Sequence, residues 1–524
     1  MQVSPRVELP AVRELSSIAA ETNPDRVAFG NGISGREITW AEFDAESKRA
    51  ANALREHVRQ GDRIAYLTEA SVEQTILWNA GLKAGCIVSN LHVRGSPESV
   101  RTCIDSLRPR VLVVDEERSE FVEEHVYDSV STDIAAVVTT GESQTEYERP
   151  LSSFTTDQPA DEPDVTSDPD DVAAVMWTSG TTGKPKGWCH TNRSLVLRAM
   201  KLAHKKGTTR LTRVSNFFTP SFAAWYSTTL PTMLANGSSY YVKQWSPEAY
   251  VELVEERSIT SSNLVPTMWR EVLRVPDLEE YDLSSLVTVE SGGETLTTTT
   301  LEQLQERISP SVSQSYSATE VCGTYIDAEE MQGDRIDSVG KPHLGVQVRV
   351  IESGGSPDDV VDPGEVGEII VKSAESAVWV WEDTEKTRES FEDGWWYSGD
   401  LGYQDEEGYL FIEGRDDNMI LSKGIKVFPT PVEERLNAHP DVVEAAVFGV
   451  EDEEYGERVT AAVHATDADL TAEDLDEWCL QSDSLSRYER PRAYHFYEST
   501  LPRTASDKLD RTAIKERSVG ESEQ

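Results

Sequence analysis

The chain has 524 residues, room for about three compact units at ~150 residues each, and its 38% apolar content with aromatics spread throughout excludes wholesale disorder. Against 49 Lys and Arg stand 94 Asp and Glu, a net charge of −45 that is spread along the chain and leaves no basic stripe to contact nucleic-acid phosphates. Such a surface repels itself in dilute buffer and is screened at ~1 M salt, where the Debye length is about 3 Å, so the expectation is a protein of a salty cytoplasm.

The five cysteines, Cys86, Cys103, Cys189, Cys322 and Cys479, are widely separated and odd in number, which suggests neither a disulfide framework nor a CxxC metal site. The opening MQVSPRVELP has no signal-peptide pattern, and no run approaches 18 apolar residues. A cytoplasmic protein without stable membrane insertion, monomer or homodimer, is expected.

Helical and strand patterns alternate, as in α/β layers. Thr39-Trp40-Ala41-Glu42 reads as a capping box; Ala50, Leu54 and Val58 extend that helix toward a stop at Gly61-Asp62, before a strand-like RIAYL. From about residue 115 to 172 the chain turns acidic and Ser/Thr-rich and reads as a surface connection. VAAVMW follows as a strand, and Ser246-Pro247 opens a helix. A compact unit of roughly 100 residues begins after EGRDD, within the usual range for a small domain. It holds a helix with Val432 and Leu436, a strand AAVFGV and a helix introduced by Thr471.

Lysine is scarce, 15 against 34 Arg, and its positions are informative. Lys184 and Lys186 share the loop Thr178-Ser179-Gly180-Thr181-Thr182-Gly183-Lys184-Pro185-Lys186-Gly187, directly after the VAAVMW strand. Glycines admit an anion close to backbone N–H groups, hydroxyls donate further bonds and the lysines add charge, so the loop reads as a phosphate cradle. It is not a Walker A loop, because Pro185 follows Lys184 and no glycine sits at the required offset.

TSGTTGKPKG resembles the phosphate loop of the adenylate-forming superfamily of acyl-CoA synthetases, luciferases and peptide-synthetase adenylation domains. The likeness runs in order from ITWAEFDAESKRAANAL to LPRTASDKLDR. It implies an α/β fold of a large N-terminal adenylation domain, 1–416, and a small mobile α+β lid, 417–524, hinged at Asp417. Two half-reactions then share one cleft: carboxylate attack on ATP with pyrophosphate release, and CoA attack on the acyl-adenylate with AMP release. The implied partners are small molecules, a carboxylic acid, ATP and CoA, with Mg²⁺ as cofactor.

Further segments carry residue roles by the same resemblance. Ser315-Tyr316-Ser317-Ala318-Thr319-Glu320 is similar to YGxTE, with Tyr316 on adenine, Thr319 by the α-phosphate and Glu320 on Mg²⁺. Gly292-Gly293-Glu294 lies along the purine. Asp400, in WYSGD, takes the ribose hydroxyls, a task a carboxylate performs bidentately. Arg415, in GRDD, reaches the ribose and phosphates. The Ser422-Lys423-Gly424 loop serves the second step, and Lys508, in PRTASDK, is the catalytic lysine of the first. Phe222, Ala223, Trp225, Thr267 and the Ser317 to Gly323 stretch line the acyl pocket. Acetyl-type relatives place Trp where Ser317 stands, so a medium-length or longer, or aromatic, acid is expected. Departures are Asp507 for glycine, which places a carboxylate beside Lys508, Ser317 for glycine, Ala223 for an aromatic or His, and Lys423 for glycine. The alternatives are a carrier-protein acceptor, oxygen chemistry, or a nucleotide-binding relative without catalysis.

Overall fold

The computed structural model describes residues 9–179, 184–293, 296–452, 454–466, 470–482, 485–503 and 509–522. Packing divides the chain into two compact units, one of residues 1–332, 342–347 and 372–394, the other of 333–341, 348–371 and 395–524. Asp417, the expected domain boundary and hinge, lies within the second of these units.

In the first unit an eight-stranded sheet runs Trp379–Val380, Pro185–Thr191, Val172–Ser179, Ile87–Asn90, Arg63–Leu67, Val111–Val114, Ala136–Thr139 and Glu148–Pro150. A second sheet is ordered Cys322–Asp327, Val312–Ser317, Thr288–Gly292, Ser261–Leu264, Arg213–Asn216, Ser238–Tyr241, Val27–Asn31 and Glu37–Thr39. Four neighbouring strands of this second sheet, from Arg213–Asn216 to Val312–Ser317, are parallel. Their C-terminal ends therefore gather at one sheet edge, where α/β proteins bind ligands. A buried cluster including Phe29, Trp40, Trp78, Trp225, Tyr226 and Tyr241 cements the unit.

Local rules explain several elements. Thr39 and Glu42 form the reciprocal capping box of the helix Trp40–Leu54. That helix stops at Leu54, short of the expected Gly61: the Glu56 and His57 amides bond three residues back, to Ala53 and Leu54, and Asp62 takes the Arg59 amide. Val58 is nevertheless buried, so its apolar spacing reflects a tucked turn rather than more helix. The segment read as a surface connection contains two strands, Ala136–Thr139 and Glu148–Pro150, at the edge of the eight-stranded sheet. Ala136–Thr139 is a short apolar stretch whose other partner is Val111–Val114, and Glu148–Pro150, which has no apolar run of its own, is a strand through its pairing with Ala136–Thr139.

Within the second unit, Trp395–Gln404 pairs antiparallel with Gly367–Ser373 and Leu410–Arg415. A further sheet is ordered Ile425–Val427, Ile420–Ser422, Gly456–Ala465 and Val442–Asp452, with Ala493–Tyr497 paired to Gly456–Ala465. Its core takes Val432 and Leu436 from the helix Pro429–Asn437 and Leu475 from Ala472–Leu480, which Thr471 caps.

Candidate active site

The Gly-rich loop lies on a β-hairpin, since Val172–Ser179 and Pro185–Thr191 are antiparallel neighbours with Thr178 opposite Lys186 and Ser179 opposite Pro185. A Walker loop joins strand to helix, so the exclusion made on sequence agrees with the topology. Thr178 Oγ1 accepts a 3.0 Å bond from Trp188 Nε1, Lys184 is exposed and Lys186 is half-buried. Gly180, Thr181, Thr182, Gly183, Glu294 and Lys508 lie outside the described residues.

The parallel strand ends bring together most of the other expected residues of this unit. Gly292 and Gly293 close Thr288–Gly292, Ser315 and Tyr316 lie near the end of Val312–Ser317, and Thr267 opens the helix Pro266–Leu273 beyond Ser261–Leu264. Phe222 and Ala223 start the helix Ala223–Leu234 beyond Arg213–Asn216. Gly293 has φ +91°, a conformation glycine adopts without strain. Ser317 is exposed. Trp225 is fully buried, 5.2 Å from Trp78 and 5.0 Å from Tyr226 between ring centroids.

Gly323 is fitted to Tyr316: a Cβ there would stand 2.8 Å from the Tyr316 ring and 3.1 Å from its carbonyl oxygen. The absent side chain is the cradle that lets the ring lie against the neighbouring strand.

The segment Thr319 to Cys322 is held by buried charge. Arg198 Nη2 donates to the Thr319 carbonyl at 3.1 Å, and His190 Nε2 meets the same oxygen at 3.1 Å. Burial brings the His190 pKa down to about 3, so the ring is neutral and Nε2 carries the proton it donates. Glu375 Oε1 accepts from the Cys322 amide at 2.8 Å and from Lys201 Nζ at 2.6 Å, while Glu375 Oε2 accepts from Arg198 Nε at 2.9 Å. Lys201 Nζ also donates to the Cys322 carbonyl at 3.1 Å, and the Ala377 amide to the Glu320 carbonyl at 2.8 Å. Burial would raise the Glu375 carboxyl, but Arg198 and Lys201 hold it at about 2. Glu320 is 9% exposed, and its charge adds to those that raise the Arg198 guanidinium.

Sequence reading missed this network, together with a second one formed by Glu290, Lys205 and Lys206. The available signal was the spacing of Arg198, Lys201 and Lys205 at i, i+3 and i+7 along the helix Asn192–Lys205, which places them on one face.

In the second unit, Asp400 and Arg415 face each other across paired strands. Arg415 Nη1 donates to Asp400 Oδ1 at 3.1 Å and to the Ser398 carbonyl at 3.0 Å, and its Nε to Asp417 Oδ1 at 3.2 Å. Gly399, at φ +69°, leaves room for the guanidinium, which a Cβ would meet at 3.1 Å. Lys423 and Gly424, both at positive φ, form the two-residue turn between Ile420–Ser422 and Ile425–Val427. Lys423 Nζ reaches Glu454 at 2.6 Å, and Ser422 is buried.

The family model of the AMP-binding enzymes matches residues 17–378, and that of the AMP-binding enzyme C-terminal domain matches 431–508. The chain belongs to this family. It is 30% identical over 502 residues, 93% of each chain, to the fatty acid–[acyl-carrier-protein] ligase ScoC of Streptomyces coeruleorubidus. Over 504 residues, 95% of this chain and 97% of the relative, it is 30% identical to a feruloyl-CoA synthase of an Amycolatopsis species. Among solved structures, ATP-bound MatB from Rhodopseudomonas palustris matches with a TM-score of 0.85 at 26% identity, covering 96% of this chain and 98% of that one. The o-succinylbenzoate CoA synthetase MenE of Bacillus subtilis with its acyl-adenylate matches with a TM-score of 0.83 at 25% identity, over the same shares.

This AMP-binding enzyme is an AMP-forming acid–CoA ligase that uses ATP, Mg²⁺ and CoA. The residues present fit these groups. Gly323 leaves space for the Tyr316 ring, and the buried Glu320 is a carboxylate of the kind that would hold Mg²⁺ together with substrate phosphates. No helix among the described residues is long and apolar enough to cross a membrane.

Proposed function

We propose that the acid activated is larger than acetate, medium-length or longer, or aromatic, and that its carboxylate attacks the ATP α-phosphorus beside Thr319 and Glu320. The observation that carries this reading is the clamped Thr319–Cys322 segment, whose backbone is fixed by Arg198, His190, Lys201 and Glu375 beside the strand ends bearing Gly292, Gly293, Ser315 and Tyr316. A segment held this way keeps the Thr319 hydroxyl and the Glu320 carboxylate in place while charge develops on phosphate, so little reorganisation is needed during reaction.

Glu320 would hold Mg²⁺, which when bound would supply charge neutralisation on the phosphates. Tyr316 offers its ring to adenine, Gly292, Gly293 and Glu294 line the purine, and Asp400, oriented by Arg415, accepts the ribose hydroxyls. Lys184 and Lys186 support the pyrophosphate leaving group. Lys508 carries the fixed positive charge of the first step, and the Ser422-Lys423-Gly424 loop serves the second. Residues 417–524 move as a lid about Asp417, whose pairing with Arg415 is broken in the swing.

One relative's acceptor is an acyl-carrier protein, which favours a carrier's phosphopantetheine as a second acceptor. A panel of carboxylic acids assayed for AMP release with CoA, with a loaded carrier protein, and with neither separates these readings. Acid-dependent AMP release stimulated by CoA is expected; release stimulated by the carrier alone would overturn the assignment of free CoA as acceptor.

A further inference from the structure

Among the described residues the strand Val442–Asp452 ends its sheet, paired on one side with Gly456–Ala465 and leaving its other edge without a strand neighbour. Backbone groups on such an edge need other partners. At Val447 both partners are charged: its amide donates to Glu433 Oε1 at 2.6 Å, and its carbonyl accepts from Arg511 Nη1 at 2.9 Å. Glu433 is 8% exposed on the helix Pro429–Asn437, and Arg511 is the first residue of the helix Arg511–Ser522. Arg511 also meets Glu433 with both terminal nitrogens, Nη1 on Oε1 and Nη2 on Oε2 at 2.8 Å, a two-point contact that fixes orientation as well as distance.

Glu444, three residues earlier on the same strand and 9% exposed, ties the chain just before this helix. Its Oε1 accepts from the Leu501 amide at 2.7 Å and its Oε2 from Arg503 Nη2. Arg503 and Leu509 stand opposite each other in an antiparallel bridge, and the Asp510 amide donates to the Pro502 carbonyl at 2.9 Å. Asp510 Oδ1 then accepts from the Ala513 amide at 3.0 Å, and Ile514 is fully buried in a cluster that includes Ala446, Phe448 and Leu501.

The chain therefore forms a stem. It runs out through Pro502 and Arg503 and back through Leu509 and Asp510, with one Arg–Glu pair bracing each side. The five residues between, 504–508, end in Lys508, whose Cα is ~3.8 Å from that of Leu509 by bond geometry alone. A lysine ammonium stands on a flexible four-carbon chain, so what the protein can fix is the backbone that bears it. Buried ion pairs contribute little net stability compared with apolar packing, and Ile514 already supplies such packing. What the Glu433–Arg511 fork adds is direction.

We infer that Arg511 is a positioning residue of the adenylation step: held by Glu433 and by the Val447 carbonyl, it fixes the returning side of the stem that carries Lys508. This rests on the proposed role of Lys508 in the first half-reaction and adds the groups that aim it. Because Arg511 acts through Lys508, its loss slows adenylate formation and leaves CoA attack on the acyl-adenylate almost unchanged.

The test measures each half-reaction by single turnover in the full-length protein, with ATP, Mg²⁺ and an acid it accepts for the first and supplied acyl-adenylate with CoA for the second. Arg511→Met should slow adenylate formation by about 10- to 100-fold, since a displacement of about 1 Å can cost about 10² in rate, and change CoA attack by less than about twofold. Arg511→Lys, which keeps the charge and lacks the fork, should fall between Arg511→Met and the parent, and Glu433→Gln should slow the same step. The decisive comparison is the double variant. Added to Lys508→Ala, Arg511→Met should slow adenylation no further, within about twofold, because the group it aims is gone. Circular dichroism at the assay temperature verifies folding, and if Arg511→Met does not fold, Arg511→Lys and Glu433→Gln carry the same comparison. Equal losses in both half-reactions, no loss in folded Arg511 variants, or a full further loss on top of Lys508→Ala overturns the inference and leaves the Lys508 reading standing. Undiminished adenylation by Lys508→Ala itself overturns that reading, and the inference with it.

Discussion

Glu320 is buried with its backbone carbonyl bonded to Ala377, so its side chain is delivered by a rigid segment rather than a mobile loop. Replacing it with Gln keeps size and shape and removes one ligand charge. For Glu320→Gln the apparent Mg²⁺ requirement in adenylation should rise by about tenfold or more, with partial rescue at high Mg²⁺. Titrating Mg²⁺ against pyrophosphate release checks this, and parental values for both affinity and saturated rate would make Glu320 a bystander. The residue stood out in sequence because it sits in an ordered series of motifs. Glu375 was not, because its partners Arg198 and Lys201 are 177 and 174 positions away, and an isolated acid among 94 carries no mark of burial.

At the scale of elements, the helix Asn192–Lys205 acts as a buried arm of positive charge, and Glu375 is what makes it tolerable. Removing one partner of a buried pair typically costs about 3–5 kcal/mol, since the remaining charges stay desolvated. Glu375→Gln should therefore unfold at lower temperature than the parent near neutral pH. The pH dependence has a definite sign. The folded-state pKa of Glu375 is depressed to about 2 from an ordinary 4.5, so its contribution is complete above ~4.5 and lost as pH falls toward 2. The gap in melting temperature between parent and Glu375→Gln should be constant from pH 7 to about 5 and shrink below that; a gap independent of pH down to about 2.5 would contradict the pairing. Elements with strong local signals, such as the capping boxes at Thr39 and Thr471, were readable. The end of the first of these helices was not, because Val58 continues the apolar spacing and its burial comes from tertiary packing.

For the whole molecule, both the net charge and the lid yield expectations. With −45 charges, compactness should depend on screening. Activity and circular dichroism should be lost on dilution from molar KCl, and a full signal at ~0.1 M, where screening extends to about 10 Å, would sink this idea. Lys508, proposed to serve one of two lid poses, should affect the half-reactions unequally. Lys508→Ala should lose about 10²–10³ in adenylation and little in CoA attack on supplied acyl-adenylate, measured by single-turnover assays of each step; equal losses would contradict the assignment.

The central claim is that the acid's own oxygen attacks the α-phosphorus of ATP, and a carboxylic acid labelled with oxygen-18 tests it most directly. After one turnover with ATP and CoA, mass spectrometry should find label transferred from the carboxylate into AMP and none in pyrophosphate. Label in phosphate or pyrophosphate, or thioester formed without labelled AMP, would contradict the account.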